Sequence, residues 1–133
     1  MYEKSRMMTT RKSIKPTEGE LEILQVLWNK GTATVREVHD ELLRYKEAGY
    51  TTTLKLMQIM YEKGLVSRDA SHKSHLYRAV VNREKTQQLL VGKMIDSLFA
   101  GSPAQLVMQA LGNHKATPDE LEAIRSFLHQ MKK

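Results

Sequence analysis

The chain has 133 residues, which is room for one domain with an extension or for two small subdomains. Its 41% hydrophobic content is enough for a core, and its net charge of +6 favours a polyanionic partner such as nucleic acid or an acidic membrane surface. There are no cysteines, which excludes disulfides, thiolate metal sites, thiol catalysis and thiol redox switching. No apolar run approaches the ~18 residues of a membrane span, and the N-terminus lacks the apolar segment of a signal peptide. A cytoplasmic protein without membrane insertion is expected.

Residues 1–14 are basic, with Lys4, Arg6, Arg11 and Lys12 against the single acid Glu3, and Lys15 follows directly. This stretch is expected to be a disordered arm that lies along phosphates. Thr17-x-x-Glu20 is a capping box, in which each side chain satisfies a backbone donor at a helix start. The helix it opens turns Leu21, Leu24, Leu27 and Trp28 inward and stops near Gly31. Thr34-x-x-Glu37 is a second box, opening a helix with Val35, Val38 and Leu42 on one face, and Thr32-Ala33 suits a minor third strand. The linker Tyr45 to Gly49 is short enough to set the next helix close by and at a steep angle.

That third helix, from near Thr51 to Lys63, has two faces with different demands. Thr53, Leu56, Met57 and Met60 form an apolar stripe, whereas Thr51, Thr52, Lys55 and Gln58 offer hydroxyls, an amide and a cation. Those groups suit a helix in a DNA major groove, where hydroxyls and amides reach base edges and the cation reaches phosphate or guanine. Gly64 supplies a left-handed stop. Two β-rich runs around a polar turn follow, the second from Leu76 to Val81. Helix, glycine stop and hairpin predict a winged helix-turn-helix DNA-binding domain over residues 15–81. The fold class is mainly α with a small β-hairpin wing.

Residues 82–133 read as helical throughout. Asn82 caps a long helix through Phe99 whose band is Leu90, Val91, Met94, Ile95, Leu98 and Phe99. Ser102-Pro103 opens a short helix with Leu106, Val107, Ala110 and Leu111, and Thr117-Pro118 opens a last one with Leu121, Ile124, Leu128 and Met131. Three helices of this size cannot bury so much apolar surface alone, so a helical dimerisation domain is the economical reading. The alternative is that they fold back on the N-terminal domain.

Among candidate sites, Thr52 and Lys55 are the strongest for base contacts, beside Thr51. Gln58 either bridges an adenine or faces water, and Leu54 either touches a thymine methyl or is an exposed leucine. Arg68 and Lys73, in the stretch Arg68 to His75 expected at the wing tip, suit phosphate contact or minor-groove entry, or else an ordinary polar turn. His72-x-x-His75 with Asp69 makes a poor zinc site, so no metal or cofactor is expected. Ser71, His72 and Asp69 lack the convergent scaffold of a catalytic triad, and no phosphate-binding glycine loop is present. His39, His114 and His129 sit singly and are expected at the surface. No enzyme is predicted.

The sequence resembles the BlaI/MecI/CopY penicillinase-repressor family. The resemblance rests on Pro16-Thr17-Glu18-x-Glu20-x-x-Ile23-Leu24-x-x-Leu27-Trp28, Thr34-Val35-Arg36-Glu37-Val38, Tyr50-Thr51-Thr52, Glu62-Lys63-Gly64-Leu65 and Phe99-x-Gly101-Ser102 before Leu106-Val107. It implies a homodimeric repressor on a dyad operator of double-stranded DNA, with an N-terminal winged helix and a C-terminal dimerisation domain. Its base-reading positions fall on Thr51, Thr52, Leu54, Lys55 and Ile59, although members often carry a cation where this chain has Leu54 or Ile59. The cysteine cluster of the copper-responsive branch is absent. In the penicillinase branch a membrane sensor protease triggers repressor cleavage, commonly between Asn and a large apolar residue. The aligned pair here is Gln109-Ala110. The rival reading is a helical protein-interaction module that uses the winged helix as a scaffold. The cations of the arm, Lys55 and the wing fall on one predicted face, which a scaffold does not need.

Overall fold

Three helix starts in this chain are built from Thr and Glu three residues apart, and all three form in the structure, a computed structural model that describes residues 15–132. The basic arm predicted for residues 1–14 lies outside the described residues. In α1 (Glu18–Lys30) the Thr17 N–H donates to Glu20 Oε1 at 2.9 Å and the Glu20 N–H donates to Thr17 Oγ1 at 3.2 Å. Gly31, at φ 90°, stops the helix. Thr34 and Glu37 repeat the exchange at the start of α2 (Val35–Leu42), at 2.9 and 3.1 Å.

The third helix, α3 (Tyr50–Lys63), begins at Tyr50 after Gly49 and ends at Gly64, which takes φ 84° and ψ 13°. The Gly64 and Leu65 N–H groups then turn back onto Tyr61 and Met60 carbonyls, closing the helix end. Strands β1 (Val66–Asp69) and β2 (Leu76–Ala79) pair antiparallel in the register Val66 with Ala79 and Arg68 with Tyr77. Ala33 adds a bridge to Tyr77, bonded in both directions at 3.0 and 2.8 Å, so the minor third strand is a single residue.

The core joins Ile23, Leu24 and Leu27 of α1, Val38 and Leu42 of α2, and Met57 and Met60 of α3, closed from the hairpin side by Val66 and Tyr77. Each such side chain contributes roughly 1.5–3 kcal/mol when fully buried. Three helices followed by a hairpin around one core make a winged helix, as the periodicities predict. Leu56 and Trp28, read from spacing as core, are half-buried against it. His39 corrects the sequence reading: it is buried, 5% exposed, with Nδ1 3.1 Å from the Thr53 hydroxyl. It shares the inward face with Val35, Val38 and Leu42, and Thr53 on the facing helix gives its ring nitrogen a partner.

The chain divides into two compact units, one ending at Gln88 and the other running from Leu89. The sequence places the boundary at 81/82. The N-terminal unit also holds the first turns of α4 (Arg83–Leu98): Trp28 Nε1 donates to the Val81 carbonyl at 3.0 Å, Arg83 donates to Asn29 at 2.7 Å, and Thr86 is buried.

The second unit comprises the rest of α4, α5 (Pro103–Asn113) and α6 (Pro118–Met131). Ala100 and Gly101 turn the chain after α4 with φ of 52° and 84°. Ser102 caps α5 by accepting the Gln105 N–H, and Thr117 with Glu120 caps α6. Neither α5 nor α6 contains a buried residue.

Candidate nucleic-acid interface

The 3.6-residue period of α3 puts Thr53, Met57 and Met60 in the core and leaves Thr51, Thr52, Lys55 and Gln58 exposed on the opposite side. Lys55 and Gln58 are three apart and therefore neighbours on that face. The N-terminus of α3 differs from those of α1, α2 and α6. It has no acidic residue in its first turn and no side-chain cap, because Gly49 occupies the cap position. The positive end of the helix dipole beside Thr51 and Thr52 thus has no carboxylate of its own first turn against it, which suits an anion.

Leu54 is half-buried and packs against the core, so only part of it faces outward. It lines a groove between the start of α2, the outer flank of α3 and the wing turn. Arg36, Tyr50, Gln58, Arg68 and Lys73 line the same groove. The predicted contacts Leu54, Gln58, Arg68 and Lys73 therefore meet in one place. Thr51, Thr52 and Lys55 lie on the adjoining face of α3. Ile59 is half-buried.

Arg68, assigned from sequence to the wing tip, sits on β1 opposite Tyr77. Its guanidinium lies 4.0 Å from the centre of the Tyr61 ring, and hydrogen bonding to Tyr77 raises its pKa further above the ordinary range. The arginine thereby ties the wing to the C-terminal half of α3. Lys73 stands in the turn itself and is exposed. That turn is organised by Asp69, whose Oδ1 accepts from the Ser71 N–H at 2.9 Å and the Ser71 hydroxyl at 2.7 Å. Those two bonds, with His72 4.0 Å from the other oxygen, hold the Asp69 carboxyl below its usual range. Ser71 and Asp69 are thus engaged in a turn and are not arranged as a nucleophile and a base. Among the described residues no group of three or more His, Asp or Glu side chains is placed to hold a metal ion.

Two positions behind the exposed face carry polar chemistry that local patterns do not reveal. His39 packs edge-on against Tyr50, with ring centres 5.4 Å apart, while bonding to Thr53. It therefore contacts the first turn of α3 twice. Glu20, 1% exposed, receives Lys63 Nζ at 2.8 Å, which ties the start of α1 to the last turn of α3. Arg36 was likewise without a site role in the sequence, although its guanidinium lies 4.3 Å from the Tyr50 ring centre. No spacing rule links residues 36 and 50, and the only local signal is a cation at the second position of a capped helix.

Among the described residues no helix is long and apolar enough to cross a membrane. The family described as penicillinase repressor matches residues 16–130. The chain is 21% identical to a penicillinase repressor from Staphylococcus aureus over 122 residues, 92% of this chain and 97% of the relative. It is 22% identical to the methicillin resistance regulatory protein MecI of Staphylococcus aureus (strain N315) over 119 residues, covering 90% and 97% of the two chains. It is 29% identical to the transcriptional regulator BlaI of Mycobacterium tuberculosis (strain ATCC 25618 / H37Rv) over 118 residues, covering 85% and 83%.

Proposed function

Because the chain belongs to the penicillinase repressor family, a family of transcriptional repressors and not of enzymes, we propose that it represses transcription as a homodimer on a dyad operator in double-stranded DNA. The observation that carries this reading is α3: a helix fixed in a winged-helix core by Thr53, Met57 and Met60 that leaves Thr51, Thr52, Lys55 and Gln58 outward. In the major groove Thr51, Thr52 and Lys55 read base edges and Gln58 pairs with an adenine. The outward part of Leu54 meets a thymine methyl. Arg68 and Lys73 hold the wing on the backbone. A protein-interaction scaffold has no use for this cationic rim, so the DNA-binding reading is preferred.

Dimerisation is assigned to residues 82–133. Its support is the exposure of Val91, Met94, Leu98, Leu121 and Leu128, with Leu90, Ile95, Phe99 and Ile124 half-buried beside them. A second copy would remove this surface from water. Induction follows the same architecture. Gln109 and Ala110 are both exposed on α5, and cleavage between them by a membrane-sensor protease system would detach α6 and its Leu121, Ile124 and Leu128 stripe. Losing that apolar area, at ~25 cal/mol per Å², weakens the dimer by several kcal/mol and releases DNA.

The test is fluorescence anisotropy of a labelled duplex titrated with the intact chain at increasing salt. Two winged helices neutralising roughly 6–10 phosphates should lose about 10³–10⁵ in affinity between 50 and 200 mM salt. Affinity that stays flat across that range would contradict the reading.

A further inference from the structure

Arg36 is exposed on α2 and has Asp40 four residues on, the spacing at which a helical ion pair forms. Among the described residues that pair is not made. The guanidinium instead lies over the Tyr50 ring at 4.3 Å, on the first residue of α3. The nearer acid, Glu37, is committed to the Thr34 N–H at 2.9 Å. Tyr50 is itself fixed from a second side, because its ring meets the buried His39 ring edge-on.

A guanidinium stacked through its face keeps its N–H donors in the plane of the group, uncovered by the ring. It also loses little conformational freedom when an acceptor arrives, because the ring already holds it. Arg36 therefore combines three properties: a fixed charge, a preset orientation and no carboxylate partner among the described residues. It lines the groove that also holds Gln58, Arg68 and Lys73. The occupant that suits several cations along one flank of a DNA-reading helix is a phosphodiester strand.

We propose that Arg36, oriented by Tyr50, is a backbone-phosphate clamp that fixes the register of α3 on duplex DNA. The proposal rests on the DNA-binding reading above and adds to it a contact from the helix before α3. Arg36 supplies the charge and the bidentate donors. Tyr50 acts as a positioning residue, holding the guanidinium at the N-terminal end of α3.

The two roles separate in a salt titration of the full chain with a fluorescein-labelled duplex of mixed sequence. Arg36→Gln removes one contact from each copy of the proposed dimer, so it should lower the slope of log K against log salt by about two and weaken binding roughly 5–10-fold per contact near 0.1 M salt, for specific and random duplexes alike. Arg36→Lys should keep the slope, because the charge is kept. Tyr50→Leu should weaken binding roughly 2–5-fold with the slope unchanged, because the ring contacts to Arg36 and His39 are lost while the charge stays. Tyr50→Phe, which keeps the ring over which Arg36 lies and the edge-on contact with His39, should bind as the parent does. A parent slope preserved in Arg36→Gln would overturn the clamp alone. Tyr50→Leu binding as tightly as the parent would overturn the positioning role. A parent chain that fails to bind the duplex at all would overturn the DNA-binding reading and the clamp together.

Discussion

Glu20 carries a carboxylate into a site that is 1% exposed, and the placement is tolerable because it accepts the Thr17 N–H and meets Lys63 at 2.8 Å. The two partners are not equivalent. Lys63 keeps about a third of its side chain in water, at 32% exposure, and can be resolvated when Glu20 is removed; Glu20 cannot. Lys63→Met is therefore expected to destabilise the fold by about 2–4 kcal/mol, the cost of an unpaired buried charge. Glu20→Ala is expected to cost about 1 kcal/mol, mainly through the lost capping box. Urea unfolding midpoints would check the order, and equal losses would mean that Glu20 reaches water. On the outward side of α3, Lys55→Ala should weaken specific binding by about 1–3 kcal/mol while barely changing binding to random duplex. Lys73→Ala should weaken both to similar extents. Parallel losses for Lys55→Ala on the two duplexes would make Lys55 a phosphate contact.

At the scale of elements, the wing depends on a local device with a pH signature. Asp69 has a folded-state pKa below the unfolded value of 3.8, because it accepts two bonds from Ser71. Its contribution to turn order is present above that value and is lost as pH falls through the lower folded pKa. The Ser71 amide resonance should move and its exchange accelerate over that acid window, and Asp69→Asn should abolish the dependence. The capping boxes at Thr17 and Thr34, the Thr-Pro start at Thr117 and the stops at Gly31 and Gly64 were legible in the sequence because each is decided within a few residues. So was the two-faced character of α3. What the sequence did not show is the pairing across elements. His39 meets Thr53 at a separation of 14 residues, Lys63 meets Glu20 at 43 and Trp28 meets the Val81 carbonyl at 53. Local periodicity carries no information about such pairs. That is why His39 reads as a surface residue, Arg68 as a tip residue and Arg36 as nothing in particular.

For the whole molecule, the distribution of apolar surface distinguishes the two units. The N-terminal unit closes a core around Ile23, Leu27, Met57 and Tyr77. In the C-terminal unit Leu98, Met108, Phe127 and Met131 are each more than 60% exposed. This uncovered apolar surface is what the proposed homodimer would cover, a second copy supplying an identical face in a closed two-fold arrangement. In the proposed dimer, two-fold symmetry would carry over to the DNA, because each copy would present its own α3 to its own half-site. Selection of bound duplexes from a random-sequence pool by the intact chain, followed by sequencing, reads base specificity and symmetry together. The account predicts enrichment of an inverted repeat whose half-site centres lie about one 10-bp turn, or a multiple of it, apart. A selected pool with no sequence preference, or with a single unrepeated site, would contradict it.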